Sequence, residues 1–214
     1  MTIAVLGATG MVGARVIGEA GARGHRVLAL SRKPAGEAPG ANVTPVAIDA
    51  NDGDAVREVL GTAGADAVVV TVRTDPVDQE FLVGATRSVL DVAAPLGMRV
   101  LVVGGAGALR SPDDRDLRIA DNPVYVPAEL KPVAAGIAQL RTCQSHADAD
   151  WVYLSPPALL EPGERTGRYR RGTDTLLTGA DGRSWISAED LAVAVVDEVE
   201  APGRERHITV VHSA

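Results

Sequence analysis

The chain has 214 residues, 46% of them hydrophobic, with a formal net charge of −7. That apolar content supplies a full core and excludes wholesale disorder, and an acidic chain with no run of five basic residues disfavours nucleic acid as a partner. Aromatics reach only 3%, so the core must be built from Val, Leu, Ile and Ala, and no apolar run attains the ~18 residues of a membrane span.

Residues 2–6 read as a first strand and 10–22 as a helix ended by Gly21 and Gly24. A second strand covers 27–30, and a Pro- and Gly-rich loop at 33–42 leads to a third at 43–48. Asn51-Asp52-Gly53-Asp54 reads as the entry to a helix over 54–60, followed by a strand at 66–71. A long helix over 77–95 ends near Pro95 and Gly97, and a fifth strand spans 99–103. Residues 108–127, with prolines and mixed charges, read as a loop over the site. A helix is expected over 129–147 and a sixth strand at 151–154. Residues 156–183 read as an excursion with short hairpin strands. Ser187-Ala188-Glu189-Asp190 reads as a capping box for a helix over 188–199, and the last strand is 206–211. Strands alternating with helices imply βαβ units, a doubly wound parallel sheet and a crevice at the carboxyl ends of its strands.

The stretch Ile3-Ala4-Val5-Leu6-Gly7-Ala8-Thr9-Gly10-Met11-Val12-Gly13 carries the strongest chemistry. An apolar strand stops at a glycine, glycines recur at three-residue spacing, and a helix begins. Such a turn brings bare backbone N–H groups to a pyrophosphate at a helix N-terminus, so a dinucleotide is the expected ligand. The second strand ends in Leu30-Ser31-Arg32-Lys33, with no acid to hold a ribose 2′-OH. Arg32 offers a fork for a 2′-phosphate and Ser31 a hydroxyl, which favours NADP(H) over NAD(H). Asp49-Ala50 lies where an adenine amine would find an acceptor. Thr71-Val72 ends the fourth strand, and Gly104-Gly105-Ala106-Gly107 leaves room for a ligand after the fifth.

Other chemistry-bearing residues form no pattern. His25, His146, His207 and His212 lack ligand spacing, so no metal is expected, and no GxSxG or triad order is present. Asp113, Asp114 and Asp116 form a loop charge cluster, and Trp151 and Tyr153 read as core. Cys143 is the only cysteine, which excludes an internal disulfide. With no secretion signal recognised ahead of the first strand, the cytoplasm is expected.

The Gly-Ala-Thr-Gly turn, Ser31-Arg32, Val103-Gly104-Gly105-Ala106-Gly107 and Ser155-Pro156-Pro157 together resemble the short-chain dehydrogenase/reductase superfamily in its atypical NAD(P)H-binding branch. Glu161-Pro162-Gly163-Glu164-Arg165-Thr166-Gly167-Arg168-Tyr169 and Ser184-Trp185-Ile186-Ser187-Ala188-Glu189-Asp190-Leu191-Ala192 resemble its small NmrA-like, NADH-flavin reductase-like group. The resemblance covers nearly the whole chain. It implies one Rossmann domain, 1–214, with 156–186 a substrate-side subregion. It places Gly7, Thr9, Gly10, Met11 and Val12 on the pyrophosphate, Ser31 and Arg32 on the adenosine ribose phosphate, and Asp49 and Ala50 at the adenine. Thr71, Val72, Gly104 and Gly105 would line the ribose and nicotinamide, with Ser155, Pro156, Pro157 and Ala158 closing over the ring.

One departure concerns catalysis. Typical superfamily members use a Tyr-x-x-x-Lys pair in which the lysine lowers the tyrosine pKa. Here Glu129 stands four residues after Tyr125, and Leu130 precedes Lys131 where close relatives carry Tyr-Lys. Lys131 would hold the nicotinamide ribose, and Tyr125 is the remaining candidate donor. Tyr125, Tyr169 and Trp185 are the aromatics expected within reach of an acceptor. The expected activity is NADPH-dependent hydride transfer to a small flavin, quinone or carbonyl acceptor, in a monomer or homodimer. A non-catalytic NADP(H) sensor is the alternative, and an epimerase-like reaction a third.

Overall fold

A computed structural model describes residues 1–34, 40–125 and 135–213. Its elements are β1 (Thr2–Leu6), α1 (Met11–Ala22), β2 (Arg26–Ser31), β3 (Val43–Ala47), α2 (Gly53–Ala63), β4 (Ala67–Val70), α3 (Gln79–Leu96) and β5 (Arg99–Val103). After two short 3-10 turns come α4 (Ala135–Ser145), β6 (Trp151–Ser155), β7 (Leu159–Glu161), β8 (Tyr169–Gly172), β9 (Trp185–Ser187), α5 (Ala188–Glu200) and β10 (His207–His212).

Eight strands form the main sheet in the order β3-β2-β1-β4-β5-β6-β10-β8. All neighbours are parallel except β8, which runs antiparallel to β10. The first six strands follow the doubly wound order, with the direction of winding reversing between β1 and β4. This is the expected Rossmann architecture. Both faces are buried, which is why the strands read as unbroken apolar runs. On β1, Ala4 and Leu6 enter the core under α2, α3 and α4. Ile3 and Val5 enter the core under α1 and α5.

Local chemistry sets the helix ends. Asp52 caps α2 by accepting from the Ala55 N–H at 3.1 Å, and Asp78 caps α3 through the Phe81 N–H at 3.1 Å. Left-handed Gly97 (φ 62°) stops α3. The capping box expected at α5 is only half formed. The Ser187 hydroxyl accepts from the Asp190 N–H at 3.0 Å, but the Asp190 carboxylate turns away to a different partner.

The excursion after β6 is the main correction. It forms no hairpin: β7 pairs in parallel with β9, and β8 joins the edge of the main sheet. Residues 163–169 between them are fastened to α1 and α5. The fully buried Asp190 carboxylate accepts from the Thr166 N–H (2.8 Å), the Thr166 hydroxyl (2.6 Å) and the Gly167 N–H (2.7 Å). Glu189 accepts from the Gly163 N–H at 2.8 Å, and Arg165 forks onto Glu19 at 2.7 and 2.8 Å. Tyr169 donates to Asp197 at 2.5 Å, so this ring belongs to the α5 anchorage rather than to the crevice. The Trp185 Nε1–H is likewise spent, on Glu161 at 3.0 Å.

Candidate functional site: the crevice at the β1 to β4 reversal

Gly7 ends β1 at φ 95°, a left-handed conformation that a side chain resists. A Cβ there would lie 2.7 Å from Thr71 Oγ1 and 2.9 Å from the Thr71 carbonyl. A Cβ on Gly13 would fall inside van der Waals contact of the Gly7 carbonyl oxygen. The glycines therefore let α1 pack directly on the loop that precedes it, with Gly10 as the N-cap. Thr71 pins the turn from β4: its hydroxyl donates to the Leu6 carbonyl at 3.0 Å and its N–H to the same oxygen at 2.8 Å.

The end of α1 that this turn exposes is electrostatically unanswered. No side chain caps it, and its first turn holds no acid. The N–H groups of Met11, Val12 and Gly13 have no acceptor among the described residues. By contrast α2, α3 and α5 each have a capping oxygen and one or two acids in the first turn. Bare N–H groups and the positive end of the helix dipole at a switch point form an anion cradle. This geometry fits a dinucleotide pyrophosphate.

At the end of β2, Ser31 is buried and its Oγ has no partner among the described residues. Arg32 is exposed, with its guanidinium 5.8 Å from the Phe81 ring centroid. A hydroxyl and a guanidinium that both lack an anionic partner among the described residues fit an incoming phosphate. Asp49 is exposed and accepts from the Asn51 N–H at 3.0 Å, whereas Ala50 is packed into the core. Val72 packs partly against the same core.

The β5 and β6 ends divide differently from expectation. A Cβ on Gly104 would collide with the Tyr153 phenol, so at this position packing explains the glycine. Gly105 does face open space. Tyr153 is completely buried and donates to the Gly136 carbonyl at 2.9 Å, and burial drives its pKa up. The Ser155 hydroxyl is paired with His207 Nε2 at 3.0 Å. Burial lowers the His207 pKa to about 4, so this imidazole is neutral at pH 7. Pro156 and Pro157 are buried and Ala158 is exposed.

Tyr125 is held by its hydroxyl, which donates to Asp113 at 3.1 Å. Partial burial and then this carboxylate raise its pKa, opposite to what a proton-donating tyrosine paired with lysine needs. Lys131 and its neighbours Glu129 and Leu130 lie outside the described residues. Three contacts had no precursor in the sequence reading: the Tyr153 phenol under Gly104, the Ser155–His207 pair, and the setting of Arg118. Each joins residues of separate elements. Register alone does not reveal the Ser155–His207 pair, since Ser155 stands opposite Thr209 across β6 and β10.

Among the described residues no helix is long and apolar enough to cross a membrane, and no group of three His, Cys, Asp or Glu is placed to hold a metal. Residues 7–202 match the model of a family described as NAD(P)H-binding. A 3-diazoavenalumate denitrifying reductase of a Streptomyces species is 30% identical, over 94% of this chain and 73% of its own. A solved structure of a proposed epimerase from Bacteroides thetaiotaomicron is 33% identical at a TM-score of 0.85, covering 100% of this chain and 97% of that one. One of a proposed NADH-flavin reductase from Streptococcus pneumoniae is 28% identical at a TM-score of 0.86, covering 99% of each.

Proposed function

The chain belongs to the NAD(P)H-binding family, and on that premise we propose that it is an NADPH-dependent reductase of a small flavin, quinone or carbonyl acceptor. The observation that carries this reading is the uncapped, acid-free N-terminus of α1 behind the Gly7–Gly13 turn. The described reductase and the proposed flavin reductase among its relatives support the reaction class.

In this reading the N–H groups of Thr9, Met11 and Val12 hold the pyrophosphate, while Gly7 and Gly10, whose own N–H groups go to the Leu30 and Gly7 carbonyls, bring the turn against it. Ser31 and Arg32 take the 2′-phosphate, and Asp49 with Ala50 edges the adenine. Thr71, Val72 and Gly105 line the ribose and nicotinamide, with the Gly104 backbone set by Tyr153. Ser155 through Ala158 close over the ring, with the Ser155 hydroxyl oriented by His207. Lys131 is assigned to the nicotinamide ribose from sequence alone. When bound, the nicotinamide supplies a hydride. The chain supplies proximity and orientation, which lower the barrier without a strong protein acid. That suits a site in which Tyr125 is tied to Asp113. The reading takes residues 1–214 as one cofactor domain, with 156–186 as its substrate-side subregion. It places the protein in the cytoplasm, in keeping with a lone buried thiol.

The same Tyr125–Asp113 bond favours a second reading, a non-catalytic sensor of the NADPH/NADP+ ratio. One assay separates the two: NADPH oxidation is followed with a panel of flavins, quinones and aldehydes, alongside NADPH binding by fluorescence. Turnover with any acceptor supports the reductase. Tight binding with no turnover across the panel replaces it with the sensor.

A further inference from the structure

The segment after β5 is a built frame. The Ile119 N–H donates to the Leu109 carbonyl at 2.8 Å, the Arg110 N–H to the Asp174 carbonyl at 2.7 Å, and buried Asn122 to the Ser111 hydroxyl at 3.2 Å. Leu109, Ile119 and Leu176 form a small apolar cluster beneath it. Arg118 lies in this frame, half-buried, and donates through Nη1 to the carbonyl of Ala108. Ala108 closes the turn that begins at Gly104-Gly105, at the carboxyl end of β5.

Arg118 makes no ion pair among the described residues, whereas other partly buried arginines do. Arg23 meets Glu19, Asp197 and Glu200, Arg99 meets Asp150 and Glu198, and Arg15 meets Glu189. Carboxylates are not scarce in a chain of net charge −7. Near Arg118, Asp174 is already engaged by Arg110 and Arg115. Burial, with Arg110 and Arg141 nearby, makes the Arg118 cation harder to hold, and the charges of Asp121 and Asp174, neither of which pairs with it, offset this only in part. A guanidinium has five donors in a planar fork, and among the described residues only one is used here. Maintaining such a group half-buried and unpaired is costly unless an anion from outside completes it.

We propose that Arg118 is a specificity-determining residue that binds a carboxylate on the acceptor, so that the substrates are planar reducible molecules bearing an acidic group. The inference rests on the reductase reading, because it places the acceptor's reducible atom over the open backbone at Gly105 and its carboxylate toward Arg118. A bidentate pair here distinguishes an acid from its ester, since the ester leaves the guanidinium unanswered.

The test uses the NADP+-loaded protein with 4-carboxybenzaldehyde and its methyl ester as probes, binding by calorimetry and turnover by NADPH absorbance. The acid should bind roughly 10- to 100-fold more tightly than the ester. Arg118→Gln should abolish that preference and Arg118→Lys keep part of it, with NADP+ affinity reporting that each variant is folded. Equal binding of acid and ester, no binding of the acid, or an undiminished preference in Arg118→Gln overturns the proposal. A preference for the acid, with no turnover of it or of any flavin, quinone or aldehyde in the panel, keeps the anion site and sinks the reductase. Turnover of both probes at equal KM keeps the reductase and sinks the anion site.

Discussion

In the proposed reading Ser31 and Arg32 set the choice of cofactor at the end of β2, where a carboxylate would favour a free ribose hydroxyl. A buried hydroxyl with no partner among the described residues and an exposed guanidinium stand there instead. Arg32→Glu should weaken NADPH binding roughly 10- to 100-fold and leave NADH nearly unchanged, because only the former loses a charge-assisted fork. Parallel losses for both nucleotides in a fluorescence titration would remove the assignment. His207 governs a different property. Its folded pKa of about 4 lies below the ordinary value of 6.5, so the unfolded chain takes up a proton that the folded chain refuses. Stability from this group is therefore complete above pH 6.5 and declines as pH falls toward 4, by up to about 3 kcal/mol. Urea unfolding at pH 7 and pH 4.5 should show the loss, and His207→Gln should flatten it. Gly104 shows how far a single residue can be read. A glycine at a strand end suggests room for ligand, but only the fold reveals the phenol of Tyr153 in that room.

The elements divide into those read from the chain and those it conceals. Strands β1, β2, β4, β5 and β6 were legible because each is apolar on both faces, and the helices between them show caps such as Asp52 and Asp78. Strand β8, Tyr-Arg-Arg-Gly, has no such pattern, since it is an edge strand whose charged residues face outward in part. Its partner, β10, lies more than thirty residues away. The capping box at α5 was half legible for the same reason. Ser187 acts locally, whereas Asp190 reaches across to Thr166 and Gly167. Asp190→Ala would strand two backbone N–H groups and a hydroxyl, at a cost of roughly 2–4 kcal/mol. Chemical denaturation should register that loss, with faster tryptic cleavage at Arg165 and Arg168. A change under about 1 kcal/mol would mean that 163–169 is held by Glu189 and Glu19 instead.

At the scale of the molecule, two helical layers enclose the sheet, and charge is concentrated where α1, α5 and 163–169 meet. There Arg23 joins Glu19, Asp197 and Glu200, and Arg165 joins Glu19 from the other side. The Arg165 hydrogen bond holds Glu19 below the usual carboxylate range against its burial. This layer also carries the uncapped end of α1, so an anion bound there should stabilise the whole fold. At a hundredfold excess over Kd, NADP+ should contribute about 2.7 kcal/mol, a rise in Tm of roughly 5–10 °C. NAD+ at the same concentration should give less. An unchanged Tm with both nucleotides would show that the cradle does not hold a dinucleotide.

Sequence alone determined the wound sheet and the glycine turn, and with them the expectation of a nicotinamide cofactor. Apolar period, caps and glycine spacing are written within a few neighbouring residues, so each can be read locally. The tertiary structure alone decided that 163–169 is fastened to α1 and α5, that Ser155 faces His207, that Tyr153 fills the space at Gly104 and that Arg118 makes no ion pair among the described residues. Those facts depend on which distant side chains share a small volume, and burial and pairing are properties of that volume rather than of any stretch of chain.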